Sequence, residues 1–110
     1  MRETAGSPLT EAMNRLWTKF QPQMVERVTT LKEAAESAAK GTLGADEQQM
    51  ASSDAHKLAG VLGTFGLQQG TELAREAESL YAGTLNGSPA ISARLMQIVE
   101  QLQTLISSRR

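Results

Sequence analysis

Apolar side chains recur every three or four residues along almost the whole chain, and the stripe stops only where glycine or proline stands. The run Ile91, Leu95, Ile98, Leu102, Leu105 and Ile106 keeps that spacing throughout. A period near 3.6 lines one side of an α-helix, whereas a half-buried strand needs strict alternation, so the pattern commits the chain to amphipathic helices packed on one another. Composition agrees: Ala, Leu, Glu and Gln are plentiful, β-branched residues are sparse and aromatics make up only 4%. The expected class is all-α.

Punctuation divides the 110 residues into segments. Residues 1–6 are polar and without a period; they read as a disordered tail, either a frayed end or the trace of a longer protein, which leaves 7–110 as one domain. Ser7 and Pro8 match an N-cap with proline in the first turn and predict a short helix carrying Leu9, Met13, Leu16, Trp17 and Phe20. Pro22 has no amide hydrogen and biases Gln21 away from helical geometry. A break is therefore expected before a second helix resumes through Met24, Val25, Val28, Leu31 and Ala35 to about Lys40. After Gly41, Asp46 is the expected N-cap of a third helix that runs to about Phe65, with Gly66 as its C-cap. A fourth spans about Leu67 to Ala82, its first turns weakened by Gly70. Thr84 to Gly87 is a loop, and Ser88-Pro89 opens the last helix, whose closing Ser-Ser-Arg-Arg is expected to fray. Short connections favour antiparallel neighbours, so the predicted fold is an antiparallel up-and-down four-helix bundle with a short additional N-terminal helix.

Several function classes drop out. The chain has no cysteine, which removes disulfide frameworks, thiolate metal sites and cysteine nucleophiles together. Eleven basic against twelve acidic side chains give a formal charge of −1, too little to draw nucleic acid or anionic lipid. No apolar run approaches the roughly 18 residues of a membrane span, and Met1 to Leu9 lacks the pattern of a signal peptide. A soluble, cytoplasmic protein is expected, with no nucleic acid and no membrane among its partners.

The third helix is the informative one. With residues placed about 100° apart around its axis, Ala51, Ala55, Leu58, Leu62 and Phe65 fall in a wedge opposite His56, with Val61 and Met50 at its margin. His56 should therefore face solvent. Within roughly 60° of it stand Gln49, Ser52, Ser53, Ala59, Gly60 and Gly63, of which only the glutamine is larger than serine. Two glycines on an exposed helix face cost about 1 kcal/mol each relative to alanine, so stability does not explain them. Close approach of another molecule does, and Ser52, Ser53, Ala59, Gly60 and Gly63 are the candidate docking residues around the imidazole. Asp54 projects toward the apolar side, where a carboxylate needs a partner or a place at the bundle rim.

Among the chemistries a lone imidazole can serve, metal binding fits poorly: His56 is the only histidine, and no acidic residue on its helix shares its face. Hydrolysis fails too, since Ser52 and Ser53 have no acid partner or oxyanion donors in a mid-helix setting. Phosphoryl carriage fits, because a neutral imidazole is nucleophilic near neutral pH and needs only access, while magnesium and charge neutralisation can come from a partner's active site.

The segment Ala55-His56-Lys57-Leu58-Ala59-Gly60-Val61-Leu62-Gly63-Thr64-Phe65-Gly66 resembles the signature of histidine-containing phosphotransfer (HPt) domains: histidine, any residue, leucine, often a basic residue, glycine, and a second glycine six further on. His56, Leu58, Gly60 and Gly66 match, and Phe65 stands in the usual apolar place; the helical layout from Ser7 onward also suits the family. Many members carry Lys or Arg three residues after the histidine, where this chain has Ala59. The nearest cation along the chain is Lys57, about a quarter-turn off the face. Lys57, Gln49 and Gln69 are the candidate supports for the imidazole or the phosphoryl oxygens, with Gln68 beside them.

The resemblance implies a phosphoacceptor at His56, normally through Nε2, which takes a phosphoryl group from a receiver-domain aspartate or a histidine kinase and passes it to another receiver. It also implies a carrier rather than an enzyme: a monomer without a cofactor of its own, magnesium being expected on the receiver of a response regulator or hybrid kinase. Three alternatives stand beside it. These are an adaptor of the same fold that is never phosphorylated, a phosphoacceptor domain within a multidomain kinase or regulator, and a helical dimerisation element using Leu95, Ile98, Leu102 and Leu105.

Overall fold

Trp17, Met24, Val28, Leu31, Ala35 and Ala38 form one buried stripe, and the helix that carries them, α1 (Pro8–Ala39), runs for 32 residues without a break. In the computed structural model, which describes residues 8–83 and 88–109, three more helices follow. They are α2 (Ala45–Thr64), α3 (Gln68–Tyr81) and α4 (Pro89–Ser108), and no strand occurs among the described residues. The separate short N-terminal helix is thus corrected: it is the first part of α1. Pro22 removes one backbone hydrogen bond, but it stands on the exposed side, where water can serve the freed carbonyl. The apolar stripe passes it in register, and burial on both sides outweighs a single lost bond.

The helix ends follow local chemistry. Gly41 and Gly66 adopt φ of 73° and 74°, the left-handed conformation that a side chain disfavours. Each closes its helix with a paired hydrogen-bond motif; after α2 the amides of Gly66 and Leu67 donate to Gly63 and Leu62 carbonyls at 3.0 Å. Asp46 is not the N-cap of α2. That position belongs to Gly44, whose amide donates to the Glu47 carboxylate at 3.1 Å, while Asp46 lies in the first turn, where a negative charge favours the helix dipole. Ser88 caps α4 as expected, accepting the Ile91 amide at 3.4 Å, with Pro89 in the first turn. The C-terminal fraying is corrected for Ser107 and Ser108, which are helical; Arg109 leaves the helix, its guanidinium 4.7 Å from the centre of the Trp17 ring, and Arg110 lies outside the described residues. The tail at residues 1–6, the Ser7 cap and the loop at 84–87 lie outside the described residues.

α2 packs on α1 and α3, and α4 packs on the same two helices, enclosing one core. Trp17 near the start of α1 meets Phe65 just beyond the end of α2, edge to face at 5.1 Å, whereas Arg27 further along α1 meets Asp54 in mid α2. Gln48 at the start of α2 donates to the carbonyls of Tyr81 and Gly83 at 2.7 and 2.6 Å, whereas Thr71, early in α3, donates to Ala59 later in α2 at 3.1 Å. Gly70 is buried where a Cβ would come within 3.0 Å of Leu62, so the glycine that weakens α3 in isolation is what lets α3 close on α2.

Leu58, Leu62, Leu95, Ile98 and Leu102 are among the fully buried side chains, so the residues a dimerisation element would have used line the interior, with Leu105 half-buried. Tyr81 reaches across the bundle and donates its hydroxyl to the Leu31 carbonyl at 2.7 Å, and burial pushes its phenol pKa upward. Asp54 finds its partner at the rim: Arg27 Nη1 donates to it at 2.9 Å, with the two side chains 18% and 16% exposed.

Candidate functional site

The wedge opposite His56 is buried: Ala51, Ala55, Leu58, Leu62 and Phe65 all face the core, while Met50 at its margin stays exposed. With that side of α2 committed to packing, the imidazole projects outward with 74% of its side chain exposed. Its Nδ1 lies 3.0 Å from Oε2 of Glu78 on α3, a carboxylate 35% exposed. An imidazole that donates an Nδ1 hydrogen to a carboxylate keeps the Nε2 lone pair free, and the ring is held in one orientation.

α3 splits the face that the sequence treats as uniformly open. Ser52, Ala59 and Gly63 lie on one flank of His56, about 20° to 60° around the axis, and Gln49, Ser53 and Gly60 on the other. The first flank meets α3. Ala59 is only 5% exposed, with its carbonyl accepting the Thr71 hydroxyl at 3.1 Å. Ser52 is half-buried beside the Glu78 carbonyl at 3.5 Å, and a Cβ on Gly63 would meet Thr71 Oγ1 at 3.3 Å. Ala59 is therefore corrected from docking surface to helix contact, while Ser52 stays partly exposed against α3 and Gly63 is exposed beside Thr71. On the second flank Gln49, Ser53 and Gly60 are exposed, and a Cβ built on Gly60 meets nothing within 4 Å.

The candidate supports separate in the same way. Lys57 is exposed on the open side of His56. Gln49 is exposed two turns earlier, about 10 Å along the axis. Gln69 is not brought to the imidazole at all: it lines a groove with Glu100, Gln101 and Leu105 of α4, on the side of α3 away from Glu78. Gln68 instead donates to Glu72 at 3.3 Å.

Two residues at the site escape a reading of α2 alone. Glu78 and Arg75, one turn apart on α3, line with His56, Ala59, Gly60 and Ser79 a shallow depression of about 420 Å³. The signal was present in the sequence as a polar row, Thr71, Arg75, Glu78, running beside the buried row Leu73, Ala74, Ala77, Tyr81. What that row faces depends on how α3 is set against α2, which no local pattern specifies.

A stretch of 91 residues, 83% of this chain, is 31% identical to Protein RcaC of Microchaete diplosiphon. The chain spans only 14% of that relative's length. No solved structure matches it significantly. Residues 15–108, which contain His56, Glu78 and all of the four helices but the first turns of α1, match the Hpt domain, and the chain belongs to that family.

Proposed function

We propose that this chain is a phosphotransfer module of a two-component relay, in which His56 accepts a phosphoryl group from an aspartate of a receiver domain and donates it to another. The observation that carries the reading is the pairing of an outward imidazole with Glu78 at 3.0 Å beside the open surface at Gly60. With the Nδ1 hydrogen on Glu78, Nε2 is the nucleophile. Its lone pair attacks the phosphorus of the aspartyl phosphate, the bond from phosphorus to the carboxylate oxygen breaks, and the aspartate leaves as a free carboxylate.

A convex helix suffices for this role, since the receiver's own active site, with its magnesium, supplies charge neutralisation and in-line geometry. The chain acts as a carrier, without a cofactor of its own and as a monomer. Its contacts, early residues of one helix against late residues of the next, support an antiparallel up-and-down arrangement, which gives α2 and α3 as a hairpin with the imidazole at its seam. Gln49, Ser53, Lys57 and Gly60 form the docking side. No helix among the described residues is long and apolar enough to cross a membrane, in keeping with a receiver partner in the cytoplasm.

Incubation with a phosphorylated receiver domain tests the reading. Acid-labile label should pass to this chain and fail to pass to His56→Gln. Stable receiver binding with no label transferred to either protein would instead support the adaptor alternative.

A further inference from the structure

Arg75 shares the depression with His56, yet among the described residues it makes no hydrogen bond or ion pair. Arg75 is exposed, whereas the partly buried Arg27 and Arg94 are committed: Arg27 pairs with Asp54 at 2.9 Å, and Arg94 holds Glu76 through two hydrogen bonds of 2.6 Å. The depression is built by two matched sets, His56, Ala59 and Gly60 on α2 and Arg75, Glu78 and Ser79 on α3, each at positions i, i+3 and i+4 and hence on one face of its helix. Ser52 touches Glu78 and Ala59 touches Thr71, so Arg75 stands level with Ala55, the residue next to His56. The buried methyl of Ala59 and the absent side chain of Gly60 leave the space beside the imidazole empty of competing groups.

Charge gives that arrangement a use. A phosphoryl group adds about −1.5 to −2 at neutral pH and three strong acceptor oxygens. It would enter a depression that already holds the Glu78 carboxylate, and two anions a few ångströms apart repel unless a cation stands between or beside them. A guanidinium presents several N–H donors in a planar fork, a shape suited to phosphoryl oxygens. We infer that Arg75 is the residue that holds the phosphoryl oxygens on His56, balancing the charge of Glu78 from across the α2–α3 seam. The inference rests on the reading of His56 as a phosphoryl acceptor.

A small donor removes the partner from the test. Phosphoramidate transfers its phosphoryl group as the bond from imidazole Nε2 to phosphorus forms and the bond from phosphorus to the amine nitrogen breaks, ammonia leaving with the protons it already carries. The rate of phosphohistidine formation is followed in the full chain for the unaltered protein, Arg75→Ala, Arg75→Lys and His56→Gln. Lys19→Ala, on the exposed side of α1, serves as a control for net charge. Arg75→Ala should be slower by about tenfold, the scale of a lost charge-assisted hydrogen bond, with Arg75→Lys restoring most of the rate and Lys19→Ala matching the unaltered protein. The Arg75 Nε–H resonance should also move on phosphorylation. An unaltered rate and an unmoved resonance, with label still confined to His56, would overturn the role of Arg75 alone. No label on the unaltered protein, from phosphoramidate or from a phosphorylated receiver, would overturn the acceptor reading, and this inference with it.

Discussion

His56 and Glu78, 22 positions apart in the chain, meet through Nδ1 and Oε2 at 3.0 Å across the seam between α2 and α3. The pair makes the ring's chemistry depend on a residue of another helix. Replacing Glu78 with Ala should lower the fraction of imidazole bearing its hydrogen on Nδ1 and slow phosphorylation of His56 by about tenfold, whereas Glu78→Gln, whose amide oxygen can still accept, should lose less. Nitrogen-15 spectra of the imidazole, read beside the phosphorylation rate, check both halves of the expectation. Equal tautomer populations in Ala and Gln variants would contradict it.

Gly60 separates docking from chemistry. Nothing lies within 4 Å of a Cβ placed there, so Gly60→Ala should fold normally and gain up to about 1 kcal/mol in stability from better helix propensity. Phosphorylation by a small donor should be nearly unchanged, while transfer from a receiver slows several-fold and Gly60→Leu slows it further. Denaturation midpoints and paired transfer assays measure these effects. Equal transfer from a receiver in all three proteins would show that no partner approaches this side of α2.

Tyr81 supplies a pH dependence. Burial raises its phenol pKa above the ordinary value of about 10 while its hydroxyl donates to Leu31, so folding favours the neutral phenol. That contribution is fully present below the unfolded pKa and is lost as pH climbs from there toward the higher folded pKa. Denaturant titrations from pH 8 to 11 should show the unaltered protein losing stability faster than Tyr81→Phe at the alkaline end, with the variant weaker by about 1 kcal/mol near pH 8. Parallel curves would mean that Tyr81 does not sense the alkaline range.

How much of this was legible in the sequence varies by element. The core wedge of α2 and the outward direction of His56 follow from spacing alone, because a 3.6 period assigns every residue of a helix to a side once the apolar side is known. Gly41 and Gly66 likewise mark their helix ends, since few other residues take the backbone those turns need. Pro22 misled because the local penalty of a proline is visible in the sequence, whereas the gain from a continuous stripe from Trp17 to Ala38 appears only once α2 and α4 pack against it. Ala59 misled for a related reason. A helical wheel locates the core but does not show that α3 also covers a flank, and that same covering brings Glu78 and Arg75 to the imidazole.

Whether His56 carries the phosphoryl group through Nε2 is decided by mapping the modified atom. The chain should be labelled by a phosphorylated receiver, kept alkaline to preserve phosphoramidate bonds, and examined by phosphorus and nitrogen NMR together with peptide mapping. One phosphoryl group is expected, on Nε2 of His56, and it should leave when unphosphorylated receiver and magnesium are added. A phosphoryl group on any other residue, or none on a chain that nevertheless binds the receiver, would contradict it.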